Sequence, residues 1–243
     1  DAKIPGSVLS ALLDNKVIAD PFWRMNEYKT RDLFKKNYEY ATTFSADDEL
    51  LSQTRCELVC NGLDTLAIIY LNNQNVAFAN NMHRIWHFNI KPYLKKGSNE
   101  LRIVFLSPIK YLEDAIKSCP EKVDFTATGS IPGNGFLRKA HCMFGWDWGP
   151  QLPDLGIWRD IQIEAFSDAR LVDVTVHQNH TESGVMLHLS AKTECADSRK
   201  YRAVCTITSP DGEMMDSIEF EIAQDGIGNA NYLIKTPKLW WPN

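Results

Sequence analysis

The densest group of chemistry-bearing side chains is Phe144-Gly145-Trp146-Asp147-Trp148-Gly149-Pro150, followed closely by Gly156-Ile157-Trp158-Arg159. Three tryptophans and a carboxylate stand there among glycines. An indole offers a flat apolar face that stacks on the C–H face of a sugar ring, and a neighbouring carboxylate accepts hydrogen bonds from adjacent hydroxyls. The combination suits carbohydrate. The same composition also fits a plainer reading, in which Trp146 and Trp148 anchor a core and Asp147 caps a turn. Composition alone leaves both open.

Other chemistries find little support. There is no GxxxxGK phosphate loop, no HExxH pair and no GxSxG nucleophile elbow. Gly226-Ile227-Gly228 echoes a dinucleotide turn but lacks the third glycine and any βαβ pattern. His83 and His87 sit four apart, a metal-binding spacing on a helix, yet their surroundings read as loop and strand, so structural roles are expected. His177, His180 and His188 have no partners at ligand spacing. The cysteines at 56, 60, 119, 142, 195 and 205 form no CxxC pair and read as small packed thiols. Cys56 and Cys60 share one side of a strand, but a rise of about 3.3 Å per residue puts them roughly 13 Å apart, beyond disulfide reach. Neither a metal nor a cofactor is expected.

The chain has 243 residues, with 26 Lys and Arg against 31 Asp and Glu and a net charge of −5. Its basic residues are scattered, whereas nucleic-acid binding needs a basic face, so no nucleic-acid partner is expected. The longest apolar run, Leu66 to Leu71, is far short of the roughly 20 residues that span a bilayer, and no membrane partner is expected. At roughly 100–200 residues per domain this length holds one large domain or two modest ones, and two are expected.

The elements that must position the tryptophan-rich segment are mostly strands. Ser7 precedes Val8, Leu9, Leu12 and Leu13, the pattern of a short N-capped helix. From Tyr38 the period becomes two, predicting strands at Tyr38–Phe44, Arg55–Val59, Thr65–Leu71, Asn75–Ala79, Ile85–Ile90 and Glu100–Leu106. Asn72-Asn73 suits a tight hairpin because Asn tolerates positive φ, and Lys96-Gly97-Ser98-Asn99 reads as another turn. A helix is expected over Ile109–Lys117. Ser118 to Pro153 then shows little regular period, and a stretch that long is usually functional. Alternation returns at Trp158–Phe166, with Ile161, Ile163 and Ala165 on one face. Further strands are expected near Leu171–His177, Val185–Ala191, Tyr201–Thr208, Asp216–Ile222 and Asn231–Lys235, with a turn at Pro210-Asp211-Gly212. The boundary is placed at Ser167-Asp168, giving domains 1–167 and 168–243. Strands without intervening helices make the second an immunoglobulin-type sandwich.

Gly145-Trp146-Asp147-Trp148-Gly149-Pro150 resembles the GWDWGP signature of β-mannosidases in glycoside hydrolase family 2. Other segments fit in the same order. Ile4-Pro5-Gly6-Ser7-Val8 is similar to the family's VPGSVH segment, Asp20-Pro21-Phe22 with Asn26-Glu27 to its DPF…NE element, and Gly62-Leu63-Asp64-Thr65 with Tyr70-Leu71-Asn72 to its GLDT…VYLNG stretch. Asn99-Glu100-Leu101, Ser107-Pro108, Arg138-Lys139-Ala140, Gly156-Ile157-Trp158-Arg159 and Leu239-Trp240-Trp241-Pro242-Asn243 also match. Leu9 stands where the family usually has His, and Asn73 where it usually has Gly.

The resemblance implies a mainly β chain: a galactose-binding-like jelly-roll sandwich, lacking its first strand, followed by a truncated immunoglobulin-like sandwich. It implies a fragment of an exo-acting retaining enzyme that removes terminal β-mannose, with both catalytic glutamates on a following (β/α)8 barrel, so no catalytic residue is expected here. The expected partners are a β-mannoside glycan and that barrel. Asp147 matches the family's sugar-contacting Asp, with Trp146 and Trp148 walling the pocket. Asn26 and Glu27 belong to a matched motif. Arg138 and Lys139 are candidates to hold Asp147 by an ion pair, or else are solvated charges. By analogy with glycosidases acting on polymers, an extracytoplasmic setting is expected. The alternatives are an autonomous carbohydrate-binding module and a structural spacer.

Overall fold

The structure, a computed structural model, describes residues 1–119, 121, 126 and 128–242. The chain divides into two compact units, Asp1–Ala165 and Phe166–Asn243.

The first unit opens with α1 (Val8–Asp14), the helix expected behind Ser7. The Ser7 hydroxyl accepts from the Ser10 N–H at 3.2 Å, and the Ser10 hydroxyl accepts from the Ser7 N–H at 2.9 Å, a reciprocal cap. A second helix, α2 (Asn26–Leu33), was not legible from periodicity. The chain continues as β1 (Tyr38–Ala46), the one-turn α3 (Asp48–Ser52), β2 (Arg55–Cys60), β3 (Leu63–Asp64), β4 (Leu66–Leu71), β5 (Gln74–Asn80), β6 (Trp86–Asn89) and β7 (Gly97–Phe105). Then come α4 (Pro108–Ser118), β8 (Phe144–Trp146), β9 (Gly149–Gln151), β10 (Gly156–Ile157) and β11 (Ile161–Phe166).

Two antiparallel sheets, ordered β1-β7-β4-β5 and β11-β2-β6, enclose the core. Leu58, Ile69, Ile103 and Phe105 fill it, and Cys56 and Cys60 of β2 lie fully buried among them as free thiols. Burial pushes the Cys60 thiol up to about 12. The β4–β5 hairpin turns on Asn72 and Asn73 at φ of 51° and 66°, the left-handed pair that a two-residue hairpin requires. One expectation needs correction. Lys96–Asn99 is not a free turn, because β7 already begins at Gly97, opposite Ala46 of β1. The buried Asn99 amide closes that corner instead, donating to the Lys95 carbonyl at 2.8 Å and accepting the Lys95 N–H at 2.9 Å. Ala165 alternates with Ile161 and Ile163 along β11 as expected, but unlike them it is exposed.

The second unit contains β12 (Ala169–Thr181), β13 (Gly184–Cys195), β14 (Tyr201–Thr208), β15 (Met214–Ile222) and β16 (Ile227–Ile234). Sheet β12-β13-β16 faces sheet β14-β15, with Val185, Leu187 and Leu189 packed against Cys205, Ile207, Ile218 and Tyr232. Pro210 and Asp211 form the expected turn, where the Gly212 N–H donates to the Ser209 carbonyl at 2.9 Å. Among the described residues, no helix is long and apolar enough to cross a membrane, and no group of three or more His, Cys, Asp or Glu is placed to hold a metal ion.

Candidate functional site

The tryptophan-rich segment forms a small hairpin, β8 paired with β9, whose tip is Asp147-Trp148. A hairpin with two residue pairs has little stability of its own, so its neighbours must hold it. Its roots are buried. Phe144, fully enclosed, packs with Leu66, Leu112 and Leu137, while Leu152 packs with Phe34 and Ile109. Burying a side chain of this size contributes about 1.5–3 kcal/mol. These two residues are the core anchors that the plainer reading had assigned to the tryptophans. Trp146 is 43% exposed and Trp148 78% exposed, with ring centroids 5.9 Å apart and planes tilted by 34°. Asp147, between them, is exposed as well.

Gly145 explains one glycine of the motif. At φ +95°, a Cβ there would sit 2.5 Å from Gln151 Cγ and 3.0 Å from the Gly129 carbonyl oxygen, so a side chain would drive the hairpin apart. Gln151 fills that space because it is held from several directions. Its backbone N–H donates to Glu27 Oε1 at 2.7 Å, its side-chain oxygen accepts from Arg31, and its side-chain nitrogen donates to the Gly129 carbonyl at 2.8 Å. On the opposite strand, the Ile131 N–H donates to the Phe144 carbonyl at 2.8 Å. Asn26 acts one step back, its amide donating to the Asp20 carbonyl at 2.8 Å and tying the Asp20-Pro21-Phe22 segment to the start of α2.

Lys139 requires a correction. It was a candidate to hold Asp147, but its ammonium is fully buried and pairs with the Asp64 carboxylate, and it donates to the Asp154 carbonyl at 2.6 Å. A buried ammonium needs buried acceptors, and Asp147 lies at the exposed tip. Burial lowers the Lys139 pKa, opposed by the Asp64 charge. Asp154 forms the other wall of this cluster. Its carboxylate accepts the Leu9 and Leu155 N–H groups at 3.0 and 2.8 Å, while burial raises its pKa against those bonds. Arg138 is exposed and contributes backbone, its carbonyl accepting the Met82 N–H at 3.0 Å. The structure therefore brings Glu27 directly, and Asn26 one step back, to the supports of the hairpin, places Lys139 in a separate buried cluster with Asp64 and Asp154, and leaves Trp146, Asp147 and Trp148 exposed at the tip.

Sequence reasoning missed Gln151, Arg31 and Asp154 and assigned Asp64 no role. Gln151 directly follows the glycine- and proline-bounded motif, and Asp64 lies inside a matched segment, so both carried a positional signal. Arg31 carried only its spacing of four from Glu27. Chemically, the tip presents one acceptor-only carboxylate between two indole surfaces, an arrangement that can bind vicinal hydroxyls and stack on a sugar face.

Comparison with known proteins places this geometry in a family context. The chain is 31% identical to a β-mannosidase from Mus musculus over 255 residues, which cover 99% of this chain and 29% of that protein. A β-mannosidase from Bos taurus is 28% identical, with 100% and 29% covered. The crystal structure of a β-D-mannosidase from Dictyoglomus thermophilum superposes with a TM-score of 0.88 at 31% identity, covering 99% of this chain and 30% of that one. An exo-chitosanase from Amycolatopsis orientalis, 20% identical with a TM-score of 0.65 and with 99% and 26% covered, shares the fold. The chain thus spans under a third of the length of these relatives, and it corresponds to the N-terminal portion of the β-mannosidases. The family of glycosyl hydrolase 2 galactose-binding-domain-like proteins matches residues 1–159, and the chain belongs to that family.

Proposed function

We propose that this chain is the N-terminal, non-catalytic part of an exo-acting retaining β-mannosidase, and that its β8–β9 hairpin contributes substrate contacts to an active site whose two catalytic glutamates lie on a separate (β/α)8 barrel. The observation that carries this reading is the exposed Trp146-Asp147-Trp148 tip on a buried, hydrogen-bonded base. The Asp147 carboxylate accepts hydrogen bonds from hydroxyls of a terminal β-mannose, and Trp146 and Trp148 dry and shape the pocket wall. Residues 1–167 act as the sugar-binding-like domain and 168–243 as a separate sandwich domain. Exposed Phe22 and Trp23, at 72% and 61%, add apolar surface of the kind that a larger protein covers.

One observation favours a second reading. The exposed indole pair would equally serve an autonomous carbohydrate-binding module. The test is hydrolysis of p-nitrophenyl β-mannoside by the product of the complete gene, with the 243-residue chain assayed beside it and run on immobilised mannan. The proposal expects activity in the complete product, none in the shorter chain, and no retention of the shorter chain on mannan. Retention without hydrolysis by either protein would support the binding module.

A further inference from the structure

The helix that periodicity did not reveal, α2, does something specific at the hairpin. Glu27 and Arg31 are one helical turn apart and lie on one face, a spacing that ordinarily lets such a pair bridge each other at the surface. Both are turned on a single residue instead. Glu27 accepts the backbone N–H of Gln151 at 2.7 Å, and Arg31 donates to the side-chain oxygen of the same residue. The polarity is complementary at both points: the carboxylate meets a donor and the guanidinium meets an acceptor. Both are charge-assisted contacts, the stronger class.

The location gives the contact its meaning. Gln151 pairs with Phe144 across the hairpin, and its N–H is taken by Glu27 rather than by β8, so Glu27 closes the outer edge of β9. On the other side, the Phe144 carbonyl is held by the Ile131 N–H, within the same irregular stretch. Among the described polar contacts to the hairpin strands, those from Glu27 and Arg31 come from a different element, far away in sequence. The Gln151 side chain is also the group against which Gly145 packs, so moving it moves the root of the tip.

We infer that Glu27 and Arg31 are positioning residues for the hairpin tip: together they grip Gln151 and so set where Asp147 and the two indoles project. This deepens the proposed function and rests on it for its kinetic consequence, while its structural consequence stands apart. A merely stabilising role would loosen the whole first unit. A positioning role loosens the hairpin first, and it matters to catalysis only while Asp147 is present.

The experiment has two arms. In the 243-residue chain, hydrogen exchange of residues 143–152 is compared among the parent, Glu27→Ala and Glu27→Gln. Losing one charge-assisted bond should speed exchange in this segment about tenfold, with β1, β4 and β7 unchanged, and Glu27→Gln, which keeps an acceptor oxygen, should recover most of the protection. Unchanged exchange at the hairpin, or equal acceleration in the core strands, overturns the inference. In the complete gene product, Glu27→Ala should lower kcat/KM on an aryl β-mannoside about tenfold in the parent but hardly at all beside Asp147→Ala, because coupled residues are not additive. Additive losses overturn it. If the complete product does not hydrolyse the mannoside, the proposed function fails, and the exchange arm still decides whether Glu27 positions the hairpin.

Discussion

Replacing Lys139 by methionine keeps most of the side-chain volume and removes the charge. Lys139 and Asp64 have side-chain exposures of 0% and 5%, so neither ion can turn to water when the other is lost. In Lys139→Met, Asp64 retains the Thr65 hydroxyl as a partner and the Asp154 carbonyl loses its donor. Breaking one side of a buried pair costs about 3–5 kcal/mol. With a urea slope of about 2 kcal/mol per molar for a unit of this size, the unfolding midpoint should fall by about 2 M. The assay is urea unfolding at pH 7, followed by far-ultraviolet circular dichroism and tryptophan fluorescence. Adding Asp64→Asn removes the orphaned charge and should return about half of the loss. Asp64→Asn alone frees the Lys139 amine to lose its proton, which burial already favours. The native state then binds fewer protons than the unfolded chain below the usual lysine pKa, so that variant should gain stability as pH rises from 7 toward 10. A Lys139→Met midpoint within about 0.3 M of the parent, against the shift expected from the buried-pair cost, would refute the reasoning.

Three further outcomes follow from burial. Phe144→Ala should destabilise the first unit by about 3–5 kcal/mol, whereas Trp148→Ala, at an exposed tip, should stay within about 0.5 kcal/mol; the same urea titration checks both, and equal losses would contradict the assignment of anchor and tip. Cys60 and Tyr40 titrate at about 12 in the folded chain, above their ordinary 9.0 and 10.0. The unfolded chain therefore ionises first, and stability should be intact below pH 9 and decline as pH rises toward 12, read by thermal melts across that range. In the native chain, iodoacetamide should label exposed Cys142 and spare buried Cys56 and Cys60 until denaturant is added, as mass spectrometry would reveal.

The sandwich core was legible because its strands alternate or run apolar between clear turns. Asn72-Asn73 marked its hairpin, and Ser7 marked the helix that it caps. What escaped had no apolar signal. Asn26–Leu33 is polar on nearly every face and buries only Thr30, so no hydrophobic period announces a helix that charged contacts hold to Gln151. The β8–β9 hairpin escaped because three-residue strands are too short to show a period of two. At the site, the Asp147 motif was visible as an odd composition, and its exposure is what separates a contact surface from a core. Lys139 misled because adjacency in sequence to the motif suggested Asp147 as its partner. The chain instead folds that lysine back across the unit to Asp64, a non-local pairing that no local pattern encodes.

The central claim is that the hairpin tip binds the sugar through Asp147. The most direct measurement is kcat/KM for p-nitrophenyl β-mannoside with the complete gene product and its Asp147→Ala variant. Losing charge-assisted hydrogen bonds to a buried sugar should cost about 2–4 kcal/mol of transition-state binding, a fall of roughly 30- to 1,000-fold, with the urea midpoint unchanged. An Asp147→Ala enzyme with parental kcat/KM would contradict the claim and leave the exposed tip without its proposed role.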